Sequence, residues 1–220
     1  MSSLRLSSQE RRAGIIKAAI RLFSEKGFRG TTTRELASSV GVSEPVLYQH
    51  FNTKSDLYSA MLEDLAHSAE SVIPECVPPT SPSPENVRPF LTSLARSIID
   101  WHKTNPDRVR LLLLSALEGH EFNQLFYERY FTSFFASLRA YFEAGMQHGI
   151  FRQDDPTVPA QAFLWLVAHY SLELTLFHKT KPAYSLSEDQ TIEGIIDIFL
   201  KGIRACSELH TQSPSAYLSC

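Results

Sequence analysis

The stretch Gly30–Leu57, "GTTTRELASSVGVSEPVLYQHFNTKSDL", sets two short apolar words around a single glycine. Thr32 with Glu35 three residues on makes a capping box, and Leu36, Ala37 and Val40 then give a short apolar face. Gly41 can take the left-handed conformation that ends a helix. Ser43 is placed to cap the next helix, whose first turn accepts Pro45 because an amide there has no intrahelical partner to lose. Two helices of about two turns, joined by Gly41-Val42-Ser43, match a helix-turn-helix. Its second helix fits the major groove of B-DNA while the first crosses the backbone.

Working outward, Ser7 and Glu10 form another capping box, and Ile15, Ile16, Ala19, Leu22 and Phe23 share one helical face until Gly27. After the central stretch, Asn52 or Thr53 caps a long fourth helix with Leu57, Met61, Leu65 and Ala69 at four-residue steps, widened by Tyr58, Leu62 and Val72. Three helices offer little core of their own, so this head should lean on the fourth. The segment "PECVPPTSPSPEN", 74–86, holds five prolines and reads as an extended connector. Beyond it, apolar periodicity predicts helices near 85–104, 106–118, 121–148, 156–179 and 187–210, with no useful strand-like alternation. The chain therefore reads all-α. A helix-turn-helix domain over 1–53 precedes a helical regulatory and dimerisation domain over 54–220, with the fourth helix as connector.

Charge divides the same way. Residues 1–56 carry nine Lys/Arg against five Asp/Glu, a local +4, so the remainder holds −7 of the chain's net −3. A basic end on an acidic body suits a protein that touches a polyanion at one end only. The three cysteines, Cys76, Cys206 and Cys220, contain no C-x-x-C and indicate neither a disulfide framework nor a zinc ribbon, which fits a reducing cytoplasm. The opening "MSSLRLSSQERR" lacks a signal-peptide core, and the most apolar stretch, Phe163–Phe177, is shorter than a membrane span. A soluble cytoplasmic protein is expected.

The run "IIKAAIRLFSEKGFRGTTTRELASSVGVSEPVLYQHFNTKSDLYSAML" resembles the N-terminal domain of the TetR family of transcriptional regulators. The likeness covers residues 10–63; the rest is similar only in being a string of helices of suitable number and length. It implies contacts to double-stranded DNA from Thr32, Thr33, Arg34, Ser43, Glu44, Pro45, Val46, Tyr48, Gln49, His50 and Lys54. Thr32 and Thr33 open the second helix, where free amides suit a phosphate, a plain N-cap being the alternative for Thr32. Arg34 faces out toward a base, a phosphate or solvent. Leu47 and Phe51 are inward anchors that leave the rest of the third helix for DNA. Tyr48 and His50 read as backbone clamps, with the 44–46 segment for base edges; Gln49 can read adenine and Val46 a thymine methyl. Glu44 either accepts from cytosine N4 or serves the positive end of its helix. Lys54 in the first turn of the fourth helix opposes the helix dipole, which a phosphate partner would justify.

In the body, "PTVPAQAFLWLVAHYSLELTLFHK" is apolar on nearly every side, so both faces should be buried. With the stripe Ile192, Ile195, Ile196, Phe199, Leu200 and Ile203, it predicts a homodimer through a four-helix bundle made of the last two long helices of each copy, as the resemblance also implies. A small hydrophobic effector is expected among aromatics of the middle helices, with Trp101, His102, Phe126, Phe131, Phe135, Trp165, His169 and Glu173 as its candidate lining. Aromatics at helical spacing also serve as plain core.

Other chemistry is weakly represented. His169 and Glu173 lie one turn apart without a second pair to complete a metal site, and "HEFNQ" at 120–124 misses the second ligand of a zinc-protease motif, reading instead as a helix start. There is no G-x-S-x-G, phosphate loop or dinucleotide fingerprint, so no enzyme, cofactor or metal is expected. The resemblance implies a repressor released from a palindromic operator by its ligand. The alternative is a DNA-binding protein of this fold that acts through a protein partner without an inducer.

Overall fold

The computed structural model describes residues 7–70, 78–79, 81–176 and 186–205. Among the described residues there are ten α-helices, one π-helical turn and no strand. The three cysteines, and residues 74–77 and 80 of the proline-rich connector, lie outside the described residues.

Three helices form the head. α1, Ser8–Lys26, begins at the Ser7–Glu10 capping box and ends at Gly27, whose φ is 73°. α2, Thr33–Ser39, begins at the reciprocal Thr32–Glu35 cap. It closes with Gly41 at φ 70° and the Val42 amide donating 3.0 Å to the Ala37 carbonyl, a helix ending that favours glycine. α3 spans Glu44–His50. Ser43 stands at its N-cap position, but its hydroxyl makes no capping bond, a correction to the expected cap. The second amide of this helix belongs to Pro45, which has no hydrogen to offer. α4, Lys54–Glu70, is capped by Thr53, which exchanges 3.1 Å bonds with Asp56.

The body follows as α5 (Val87–Thr104), α6 (Pro106–Leu117), α7 (Glu121–Phe126), α8 (Thr132–Gln147), α9 (Thr157–Leu176) and α10 (Glu188–Ile203). The single helix expected over 121–148 is interrupted by a π-helical turn at Tyr127–Phe131. There the Thr132 amide bonds the Tyr127 carbonyl five residues back, widening the rod by one residue, and the Thr132 hydroxyl donates to the same carbonyl at 2.8 Å. Residues 177–185 and 206–220, where the last two predicted helices would extend further, lie outside the described residues. No helix among those described is long and apolar enough to cross a membrane.

Burial separates into two cores. The body core joins α5, α8, α9 and α10 through residues such as Leu91, Leu94, Phe142, Phe163, Ile196 and Phe199. The head core gathers Ile15, Phe23, Leu36, Leu47 and Phe51 with Leu57 and Met61 of α4. It is completed by Leu111 of α6 and Phe122 of α7, so body elements form part of the floor on which the head sits.

Candidate nucleic-acid interface

α3 is held by its two inward anchors. Leu47 and Phe51 are each 3% exposed, and the Arg12 guanidinium lies 4.9 Å over the Phe51 ring, a cation–π contact from α1. This leaves Ser43, Pro45, Tyr48 and Gln49 exposed, with Glu44, Val46 and His50 half-buried. Thr32, Arg34 and Lys54 are exposed beside them at the first turns of α2 and α4. The expected contact residues are thus held at the outer face of one small unit, none in its core.

Ion pairs and hydrogen bonds fix that face. Lys26 at the end of α1 pairs with Glu35 at 2.8 Å. The Lys26 ammonium, followed by the Thr32 amide and hydroxyl, holds the Glu35 carboxyl down to about 2. The Thr33 hydroxyl donates 3.0 Å to the Glu44 carboxylate, tying α2 to α3. Neither the Arg12–Phe51 contact nor the Thr33–Glu44 bond was among the sequence expectations, since both join residues whose approach depends on how the helices cross.

The eight candidate lining residues of the body divide into two groups. Trp101 donates its indole N–H 3.1 Å to the Ser68 carbonyl at the end of α4. His102 lies 2.7 Å by Nδ1 from the Ser171 hydroxyl, and burial lowers its pKa to about 4. Phe126 packs against the head core, Phe131 stacks on Phe135 at 6.0 Å against the body core, and Glu173 is half-buried. Trp165, by contrast, is 65% exposed, and His169 is exposed one turn further along the same outward face. These two point away from the body core, because the all-round apolar α9 keeps only one face for it.

Two cavities among the described residues have linings that include none of the eight. One, about 230 Å³, lies between Met146, the 152–154 turn and the facing sides of α9 and α10. The other, about 270 Å³, lies between Pro78, Pro79 and Pro82 and the Tyr141 side of α8. No group of three or more His, Cys, Asp or Glu side chains able to hold a metal is found among the described residues. His120 of the "HEFNQ" segment caps α7, its Nδ1 accepting the Phe122 amide at 3.1 Å.

An exposed polar helix presented by a glycine-turned pair on a helical body defines a helix-turn-helix DNA-binding protein. Residues 15–61 match the family model for bacterial regulatory proteins of the tetR family, and residues 90–202 match that for the AefR-like transcriptional repressor C-terminal domain. The chain belongs to the TetR family of DNA-binding transcriptional regulators. Among its relatives, the helix-turn-helix transcriptional regulator YhgD of Bacillus subtilis (strain 168) is 23% identical over 90% of this chain and 99% of its own length. A TetR-like transcriptional regulator from Rhodococcus sp. RHA1 shares the fold with a TM-score of 0.67 at 17% identity, over 90% of this chain and 98% of that one. AibR in complex with isovaleryl coenzyme A and operator DNA aligns with a TM-score of 0.64 at 23% identity, over 86% of this chain and 97% of that one.

Proposed function

We propose that the protein is a cytoplasmic homodimeric repressor that holds a near-palindromic operator with paired heads and is released by a small apolar effector. The observation that carries the dimer is the outer face of the last two helices. Val158, Trp165 and Leu166 of α9 and Ile198 of α10 are 54%, 65%, 44% and 74% exposed. A second copy related by a twofold axis would bury this face as an isologous four-helix bundle. Two heads held this way meet adjacent major grooves at roughly 34–36 Å. Thr32, Thr33, Arg34, Tyr48, His50 and Lys54 then serve the phosphates, and Ser43, Glu44, Pro45, Val46 and Gln49 lie nearest the base edges.

Effector response is supported by the shared core, since a shift of α6 or α7 moves Leu111 and Phe122 under the head. Phe126, Phe131 and Phe135 lie where the two cores meet, and parting these half-buried rings would admit an apolar ligand. A coupling of about 1–3 kcal/mol suffices to release DNA. AibR, whose complex holds both a coenzyme A thioester and operator DNA, supports small-molecule control on this fold. Repression is supported by the C-terminal family match.

A second reading puts a protein partner in place of the effector; it draws on the exposed Trp165 and Ile198, which offer an apolar face a different protein could cover. Selection of bound sequences from a random DNA pool tests the main proposal. A symmetric site with half-sites one helical turn apart is expected; equal binding to every duplex by a monomer overturns it. Titration of the selected complex with apolar compounds separates the two readings, since only the effector reading expects one of them to release DNA.

A further inference from the structure

The turn between α1 and α2 is gripped by the corner between α6 and α7. The Glu118 carboxylate accepts the Phe28 amide at 2.9 Å, and the Glu118 carbonyl accepts from the Arg29 guanidinium at 3.3 Å. Gly27 makes room for this: a Cβ built there would lie 2.0 Å from Glu118 Oε1, and the residue's φ of 73° disfavours any side chain as well. Two residues on, the His120 ring stacks on Phe28 at 3.8 Å, while Tyr58 meets Phe28 edge-on at 5.2 Å. The buried Phe28 is thereby fixed from the body side and from α4 together.

This grip leads directly to the DNA face. The Thr31 hydroxyl donates 2.8 Å back to the Gly27 carbonyl, and the next residue, Thr32, caps α2. At the other end of the same strut, Arg108 in the first turn of α6 pairs with Asp64 of α4. α6 therefore holds the α1–α2 turn of the head through Glu118, and α4, on which the head leans, through Arg108. A charge-assisted bond from a carboxylate to a backbone amide is stronger and more directional than a neutral one. With two anchors, the head cannot swivel about α4 alone.

We propose that Glu118 is a positioning residue for operator binding, setting the orientation of the head on the body and hence the spacing of the two recognition helices in the dimer. The proposal rests on the dimeric reading above. The head's own grip on a half-site is built from α2, α3 and α4 and does not require Glu118. Pre-orientation matters only when the second head must land, where it raises the effective concentration of that head at its half-site.

The test compares affinities for the selected palindrome, for the same palindrome with its half-sites moved apart by one or two base pairs, and for a single half-site. Glu118→Ala is expected to weaken the palindrome about tenfold, flatten the spacing preference and leave the half-site within about twofold. Glu118→Gln, which keeps a carbonyl oxygen for the Phe28 amide, should recover most of the loss. Glu118→Asp, which keeps the charge but draws the carboxylate back one methylene from the Phe28 amide, should reproduce part of the flattened spacing preference; it provides the reading if Glu118→Ala does not fold. Equal losses on palindrome and half-site, or none on either, overturn the assignment. A wild-type protein that sediments as a monomer or shows no preference for two half-sites over one removes the dimeric reading, and this proposal with it.

Discussion

The Thr33 hydroxyl and the Glu44 carboxylate meet at 3.0 Å across the corner of the helix-turn-helix, each from the first turn of its own helix. This gives the acidic residue on the proposed DNA face an internal partner, and it sets a charge-assisted bond where the two helices converge. Glu44→Gln retains an acceptor for Thr33 and removes the charge. Affinity for a random-sequence duplex should rise about two- to fivefold at low salt, the size of one screened charge near a phosphate, with base preference unchanged. Anisotropy titrations and repeated selection check both; loss of a preferred cytosine at one position would instead assign Glu44 to base reading.

Lys54 stands exposed in the first turn of α4, beside the tip of α3. If it contacts one phosphate, Lys54→Ala should lower the slope of log affinity against log salt by about one while leaving the selected sequence unchanged. A slope equal to that of the parent protein removes Lys54 from the interface.

The parts legible in the sequence are those governed by neighbours along the chain. Capping boxes at Ser7–Glu10 and Thr32–Glu35 and the left-handed Gly41 each depend on residues within a turn, and each is present in the structure. The all-α architecture follows from periodicity, and the head's reliance on α4 from the small core that three short helices can build. What was not legible depends on how helices cross. Glu118 and Phe28 are 90 residues apart, and no spacing rule joins them. The apolar surround of α9 announced two contacts without saying which face turned outward, and it is the face of Trp165 and His169 that does. The π turn at Tyr127–Phe131 left no periodicity signal, because one inserted residue among closely spaced aromatics keeps rings on every side.

Ile198 offers a test of the outer face, being 74% exposed on α10 and no part of the head core. Ile198→Asp leaves the folded monomer intact but would bury an unpaired carboxylate in the proposed bundle, a cost of several kcal/mol. The dimer dissociation constant should rise at least about a hundredfold, and palindrome affinity should approach that of a half-site. Sedimentation at micromolar concentration reads the first and anisotropy the second. A variant that remains dimeric moves the interface elsewhere.

His102 links acidity to stability. Its ring lies between α5 and α9, 2.7 Å from the Ser171 hydroxyl, and burial brings its pKa from the ordinary 6.5 to about 4. In that window the unfolded chain binds a proton that the native protein refuses, so stability falls with pH from about 6.5 and levels off below about 4. The full loss is about 3 kcal/mol at roughly 1.4 kcal/mol per unit. His102→Gln, whose side-chain amide can still bond Ser171 but does not titrate, should lose this component. Urea unfolding of both proteins at pH 7, 6, 5 and 4, taken as a difference, cancels the carboxylates common to the two. The stability of the parent relative to the variant should drop progressively across the series; parallel curves would show that the ring becomes charged without leaving its site, and that its burial is not what sets the acid limit.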